Sequence, residues 1–211
     1  MKSKRIETAM LAAALLAFSV GAKADPVTVF STTNYNLSTP SDGLAYGVHD
    51  NTAVLSLLTT SIGTFLSYCT DPQQAFGSGT FDRVLASDFY NATQTHLLQR
   101  LWYNAFAAST VNGANAATAA YQYAVWEITN DAGFLDLANG NIKVTGGALL
   151  TDVNSLLTAA NTVGPETQLY LLKNATFQDL LIPVPEPTTW AMLLAGLGML
   201  GFISRKGVRG A

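Results

Sequence analysis

Cysteine is nearly absent from this chain: Cys69 is the only one among 211 residues. A lone cysteine excludes an internal disulfide framework. Histidine is almost as scarce. His49 and His96 stand far apart, and with one cysteine they make no clustered ligand set, so neither a metal nor any other cofactor is expected. Asp42, Asp50 and Asp71 lack the spacing of an EF-hand loop. Positive charge is missing where a folded body would sit. Lys2, Lys4, Arg5, Lys23, Arg205, Lys206 and Arg209 lie near the termini. Between residues 25 and 182 only Arg83, Arg100, Lys143 and Lys173 face twelve acidic residues, a net charge of −8. Such a surface repels phosphate backbones, which argues against nucleic acid as a partner.

What is present at the two ends reads as a pair of addresses. Lys2, Lys4 and Arg5 precede an apolar stretch, Met10 to Gly21, and then Ala22-Lys23-Ala24. That order of charge, apolar run and small-x-small site predicts a signal peptide over 1–24 and a mature chain beginning at Asp25. At the other end, Val184-Pro185-Glu186-Pro187 precedes an apolar run from Trp190 to Ile203 and the basic Arg205, Lys206 and Arg209. The run is shorter than the about twenty residues of a full span, although flanking basic side chains can snorkel. The basic end is expected to stay cytoplasmic. This tail, residues 183–211, resembles the PEP-CTERM sorting signal of Gram-negative bacteria, with Pro185, Glu186 and Pro187 as its motif. The resemblance implies a membrane-held intermediate, processing by an exosortase, and delivery to the cell surface or an exopolysaccharide matrix. A permanent anchor helix is the alternative.

The remaining body, residues 25–182, is the size of one domain. Val27 to Ser31, Val54 to Leu58 and Thr64 to Cys69 read as short strands, and Thr32 to Gly47 as a loop. Asp88 reads as the N-cap of a helix whose stripe is Leu97, Leu98, Leu101, Trp102, Ala105 and Phe106. Ala116 to Ile128 predicts a second helix. Leu149, Leu150, Val153, Leu156, Leu157 and Ala160 predict a third after Gly146-Gly147, stopped by Gly164-Pro165. Gln168 to Leu172 and Phe177 to Ile182 predict a closing hairpin turned at Asn174-Ala175. The expected fold is α+β: a small β-sheet or barrel with a mostly helical insertion.

Two short motifs carry the chemistry. One is Tyr68-Cys69-Thr70-Asp71, the other Gln122-Tyr123-Ala124-Val125-Trp126-Glu127. Cysteine supplies a sulfur nucleophile. Glutamine supplies an acyl carbon with ammonia as leaving group, and a helix is a rigid mount for it. Together they suit an internal thioester between Cys69 and Gln122. The motifs resemble the aromatic-Cys-x-acid and Gln-x-Ala-aliphatic-Trp-Glu patterns of bacterial thioester domains, with Thr70 in place of the usual aliphatic residue. The resemblance implies a small β-sandwich or barrel with an inserted helical subdomain, and an adhesin-like acyl donor that attaches covalently to amine-bearing surface or matrix targets and does not turn over as an enzyme. Tyr68, Asp71, Trp126 and Glu127 are its motif neighbours. Three readings stand beside it. Cys69 can be a buried small hydrophobe, the bond can be only a staple in a structural matrix protein, or Cys69 with His49 or His96 can be an enzymatic nucleophile. Trp126 reads as core packing, and Glu127 as either an orienting group or a solvated helix charge.

Overall fold

The computed structural model describes residues 25–36, 43–45, 54–110 and 116–184. Residues 1–24, expected to be a signal peptide, His49, Asp42, Asp50, the Pro185, Glu186 and Pro187 motif and the apolar tail all lie outside them.

Eight strands and four helices are described: β1 (Asp25–Asn36), β2 (Gly43–Ala45), β3 (Val54–Thr60), β4 (Gly63–Cys69), β5 (Gly79–Leu85), α1 (Ala86–Phe89), α2 (Ala92–Thr110), α3 (Ala116–Asn130), β6 (Ile142–Val144), α4 (Gly147–Asn161), β7 (Leu169–Lys173) and β8 (Leu180–Pro183). Six strands close into a barrel in the order β1-β3-β4-β8-β7-β5, while β2 and β6 form a separate two-stranded sheet. Every pairing in the barrel is antiparallel. All four helices fall between β5 and β7, which are themselves paired, so the helical segment leaves and re-enters the barrel at neighbouring strands. The expected α+β barrel with a helical insertion is therefore the observed architecture.

The period-2 alternation of the strands sorts side chains into two cores. Val27, Val29, Leu58, Cys69, Phe81, Leu172, Leu180 and Ile182 fill one cluster inside the barrel. Tyr68, Leu169, Leu171 and Leu181, one residue out of phase, join the helices in a second. Cys69 and Tyr68 thus belong to opposite faces of β4.

Several local expectations are corrected. Thr32–Asn36, read as loop, continues β1 and pairs with β3. The long strand serves two neighbours, β5 with its first half and β3 with its second, and its register shifts between Val29 and Ser31. Phe30 at that shift points outward, 63% exposed, as expected where a bulge re-aims a side chain. Asp88 is not the cap of α2; it lies in the single turn of α1. The cap is Asn91, whose Oδ1 accepts the Gln94 N–H at 2.9 Å while Gln94 Oε1 accepts the Asn91 N–H at 3.3 Å. That is a reciprocal capping box in the amide form. β5 escaped the sequence reading because Asp82 and Arg83 interrupt its apolar pattern. Arg83 bridges both neighbouring strands, at 2.8 Å from Asp25 of β1 and with its guanidinium 4.8 Å from the Tyr170 ring of β7. β2 and β6, three residues each, are too short to show a period. Gly43 in β2 is required by close approach, since a Cβ there would run into the Tyr123 ring.

Candidate functional site

Helix α3 is buried on all sides from Thr118 to Ile128. It packs against α2, α4 and strands β3, β4 and β6. A helix apolar all round belongs inside a protein, so the one amide in that stretch, Gln122, must find its hydrogen bonds there. It finds them on Cys69. The Cys69 N–H donates to Gln122 Oε1 at 3.1 Å, and Gln122 Nε2 donates to the Cys69 carbonyl at 2.7 Å. Both residues are sealed, Gln122 at 0% and Cys69 at 1% exposure.

Strand geometry explains the pairing. Cys69 is the last residue of β4 and pairs with Leu180 of β8 on one side. On the other side the pairing with β3 ends at Leu55 opposite Tyr68. A primary amide offers the same donor and acceptor as a peptide group. Gln122 therefore takes both main-chain groups of Cys69, as a further residue of a neighbouring strand would.

The same helix holds the next residue. Thr129 Oγ1 lies 3.2 Å and Asn130 Nδ2 3.0 Å from the Thr70 carbonyl. From the barrel side, the Thr70 N–H donates to the Asp179 carbonyl at 2.9 Å. Thr129 and Asn130 were not legible as site residues. Two polar residues at a helix end read as a terminus signal, and only the fold shows what they grip.

The motif neighbours divide. Tyr68 packs against Tyr121, with ring centroids 4.5 Å apart, and its hydroxyl meets Ser109 Oγ at 2.9 Å. Trp126 is core, edge-on to Tyr123 at 5.3 Å, and its Nε1 has no partner among the described residues. Asp71 shapes the turn after β4, Oδ1 accepting the Gln73 N–H at 2.9 Å. Glu127 is not a solvated charge, and its contacts lie away from the Cys69–Gln122 pair. It is fully buried, and Oε1 accepts the Asp136 N–H at 2.7 Å. Oε2 has no hydrogen-bond partner among the described residues. Burial, and then the charge of Asp131, push its carboxyl up to about 8. Asp131 in turn accepts the N–H groups of Asn141 at 2.8 Å and Ile142 at 3.1 Å. The two carboxyls pin the segment from α3 to β6.

Burial, assisted by the Asp71 charge, holds the Cys69 thiol well above its ordinary range. The resting group is therefore the neutral thiol. His96, the other titratable candidate, is on the surface with Glu166, 2.9 Å away, and that carboxylate also binds Arg100 at 2.9 Å. Among α2, α3 and α4 a cavity of about 260 Å³ is lined by Ala105, Ala108, Ala117, Ala120 and Leu156 with Ser109; neither Cys69 nor Gln122 lines it. No group of His, Cys, Asp and Glu suited to a metal occurs among the described residues. No helix among them is long and apolar enough to cross a membrane.

Residues 183–209 match the PEP-CTERM protein-sorting motif. That motif implies export, processing by an exosortase and sorting to the surface of a Gram-negative cell. No curated protein matches the chain. Among solved structures, the Bacillus anthracis TIE protein is similar at 13% identity and a TM-score of 0.40, over 77% of this chain and 39% of that one. The chain thus spans well under half the length of that protein.

Proposed function

We propose that this is an exported surface or matrix protein whose body carries an internal Cys69–Gln122 thioester, used once as an acyl donor to an amine-bearing target. The observation that supports it is the reciprocal pairing of the Gln122 amide with the Cys69 main chain, in a pocket closed to water. The pairing holds the amide carbon opposite the Cys69 Cα, and the sulfur swings about a single bond from that carbon. Attack forms the Sγ–Cδ bond. The carbonyl oxygen that gathers charge already accepts the Cys69 N–H, an oxyanion contact supplied by the nucleophile's own residue. The Cδ–Nε2 bond then breaks and the thiol proton leaves with the nitrogen as ammonia. The Cys69 carbonyl, 2.7 Å from Nε2, orients the departing group. In the later step a primary amine forms an amide at position 122, the Sγ–Cδ bond breaks, and the displaced proton restores the thiol. Water in place of the amine leaves a glutamate.

The complete burial of both residues supports a second reading, in which the bond is a staple that no target reaches. Methylamine separates the two. In the donor reading, incubation of the exported protein adds methylamine at residue 122 and makes Cys69 alkylatable, as peptide mapping would show. If methylamine is not incorporated while the bond persists, the protein is a stapled matrix component. An adduct on Cys69 contradicts the acyl-donor chemistry outright. Exopolysaccharide or neighbouring surface protein would supply the natural amine.

A further inference from the structure

We infer that Thr129 and Asn130 are positioning residues for thioester formation, acting through the Thr70 carbonyl; this rests on the Cys69–Gln122 reading. Two consecutive carbonyls at the end of β4 are gripped by one helix. Gln122 Nε2 holds that of Cys69 at 2.7 Å, and Thr129 Oγ1 and Asn130 Nδ2 hold that of Thr70 at 3.2 and 3.0 Å. Positions 122 and 129 are two turns apart and so share a face of α3.

The two grips differ in fate. The Gln122 nitrogen departs as ammonia, so the first grip is consumed by the reaction. The Thr70 grip has no part in bond making and persists. It fixes the peptide that follows the nucleophile against the helix that carries the acyl carbon. The anchor is itself braced. Asn130 Nδ2 also lies 3.0 Å from the Trp126 carbonyl and 2.9 Å from Thr129 Oγ1. Thr129 Oγ1 carries one proton and has two further acceptors, the Val125 carbonyl at 2.9 Å and the Trp126 carbonyl at 3.3 Å. The pair thus offers three hydrogens, two on Asn130 and one on Thr129, to a small set of carbonyls that includes Thr70. On the far side Asp179 holds the Thr70 N–H, so the Cys69–Thr70 segment is fixed between barrel and helix. A displacement of about 1 Å of a reacting atom can cost about a hundredfold in rate. The grip is therefore placed where it controls the reaction.

The test follows the loss of one ammonia with time, by intact mass during cell-free synthesis of the full chain. Wild type is compared with Thr129→Val, Thr129→Ser and the double variant Thr129→Val with Asn130→Leu, each rate being divided by the folded fraction from circular dichroism. The double variant is expected to form the bond about tenfold more slowly or worse, Thr129→Val more slowly than wild type, and Thr129→Ser near the wild-type rate. Should the double variant fail to fold, the nearly isosteric Thr129→Val decides alone. Wild-type rates per folded molecule in Thr129→Val and in any folded double variant overturn the inference and leave the thioester standing. A wild type that never loses ammonia overturns both.

Discussion

Gln122→Ala is expected to destabilise the domain by about 3–5 kcal/mol, even in a Cys69→Ala background where no thioester can form. Truncation leaves the Cys69 N–H and carbonyl buried without partners, each costing about 1–3 kcal/mol, and removes buried methylene at about 0.8 kcal/mol per group. No water reaches the site to take over, because both residues are sealed. The double background matters: it separates the hydrogen bonds of the amide from the covalent bond. Urea melts of Cys69→Ala with and without Gln122→Ala measure the difference. A loss under about 1 kcal/mol would mean that the two main-chain groups find other partners, and that Gln122 does not hold the end of β4.

The second large effect is in pH. Glu127 titrates near 8 in the fold, well above the about 4.3 of a free glutamate. The folded state therefore holds this proton more tightly than the unfolded chain does. Its contribution is full below the unfolded value and is lost as pH rises toward 8, above which it levels off. The loss is expected to reach a few kcal/mol, since each tenfold difference in proton affinity between the two states is worth about 1.4 kcal/mol. Protonated, the unpartnered Oε2 can donate to the Asp131 carboxylate, while Oε1 keeps the Asp136 N–H. Glu127→Gln supplies that donor at every pH. Between pH 5 and pH 9 its stability is expected to fall less than that of the wild type. Parallel pH profiles for the two proteins would show that Glu127 is ionised throughout.

Both effects bear on what was legible beforehand. The three long helices were readable because their apolar residues repeat over several turns; α4 begins at Gly147 and stops before Gly164-Pro165 as expected. Strands failed where pairing partners, not alternation, make the strand. Arg83 and Asp82 belong to β5 because β1 and β7 flank them. Thr32–Asn36 is strand because β3 lies beside it. At the site, the identities of Cys69 and Gln122 were legible from their motifs, and the fold brings them together across 53 residues. The form of their meeting was not. That the Gln122 amide binds the Cys69 main chain depends on where the pairing of β3 with β4 stops. The roles of Thr129 and Asn130 depend on the docking of α3 on that strand end. Glu127 misled because its carboxylate serves a loop nine residues on in the chain, a contact that no period in the sequence announces.

The most direct measurement is the intact mass of freshly purified body, residues 25–182, kept free of added amines. The thioester requires a mass short by one ammonia, with the full sequence mass restored in both Cys69→Ala and Gln122→Ala and no alkylation of Cys69 in the unfolded wild type until the bond is opened. A wild type at full sequence mass, with a Cys69 thiol that alkylates on unfolding, would contradict the thioester and leave Gln122 as a structural amide at the end of β4.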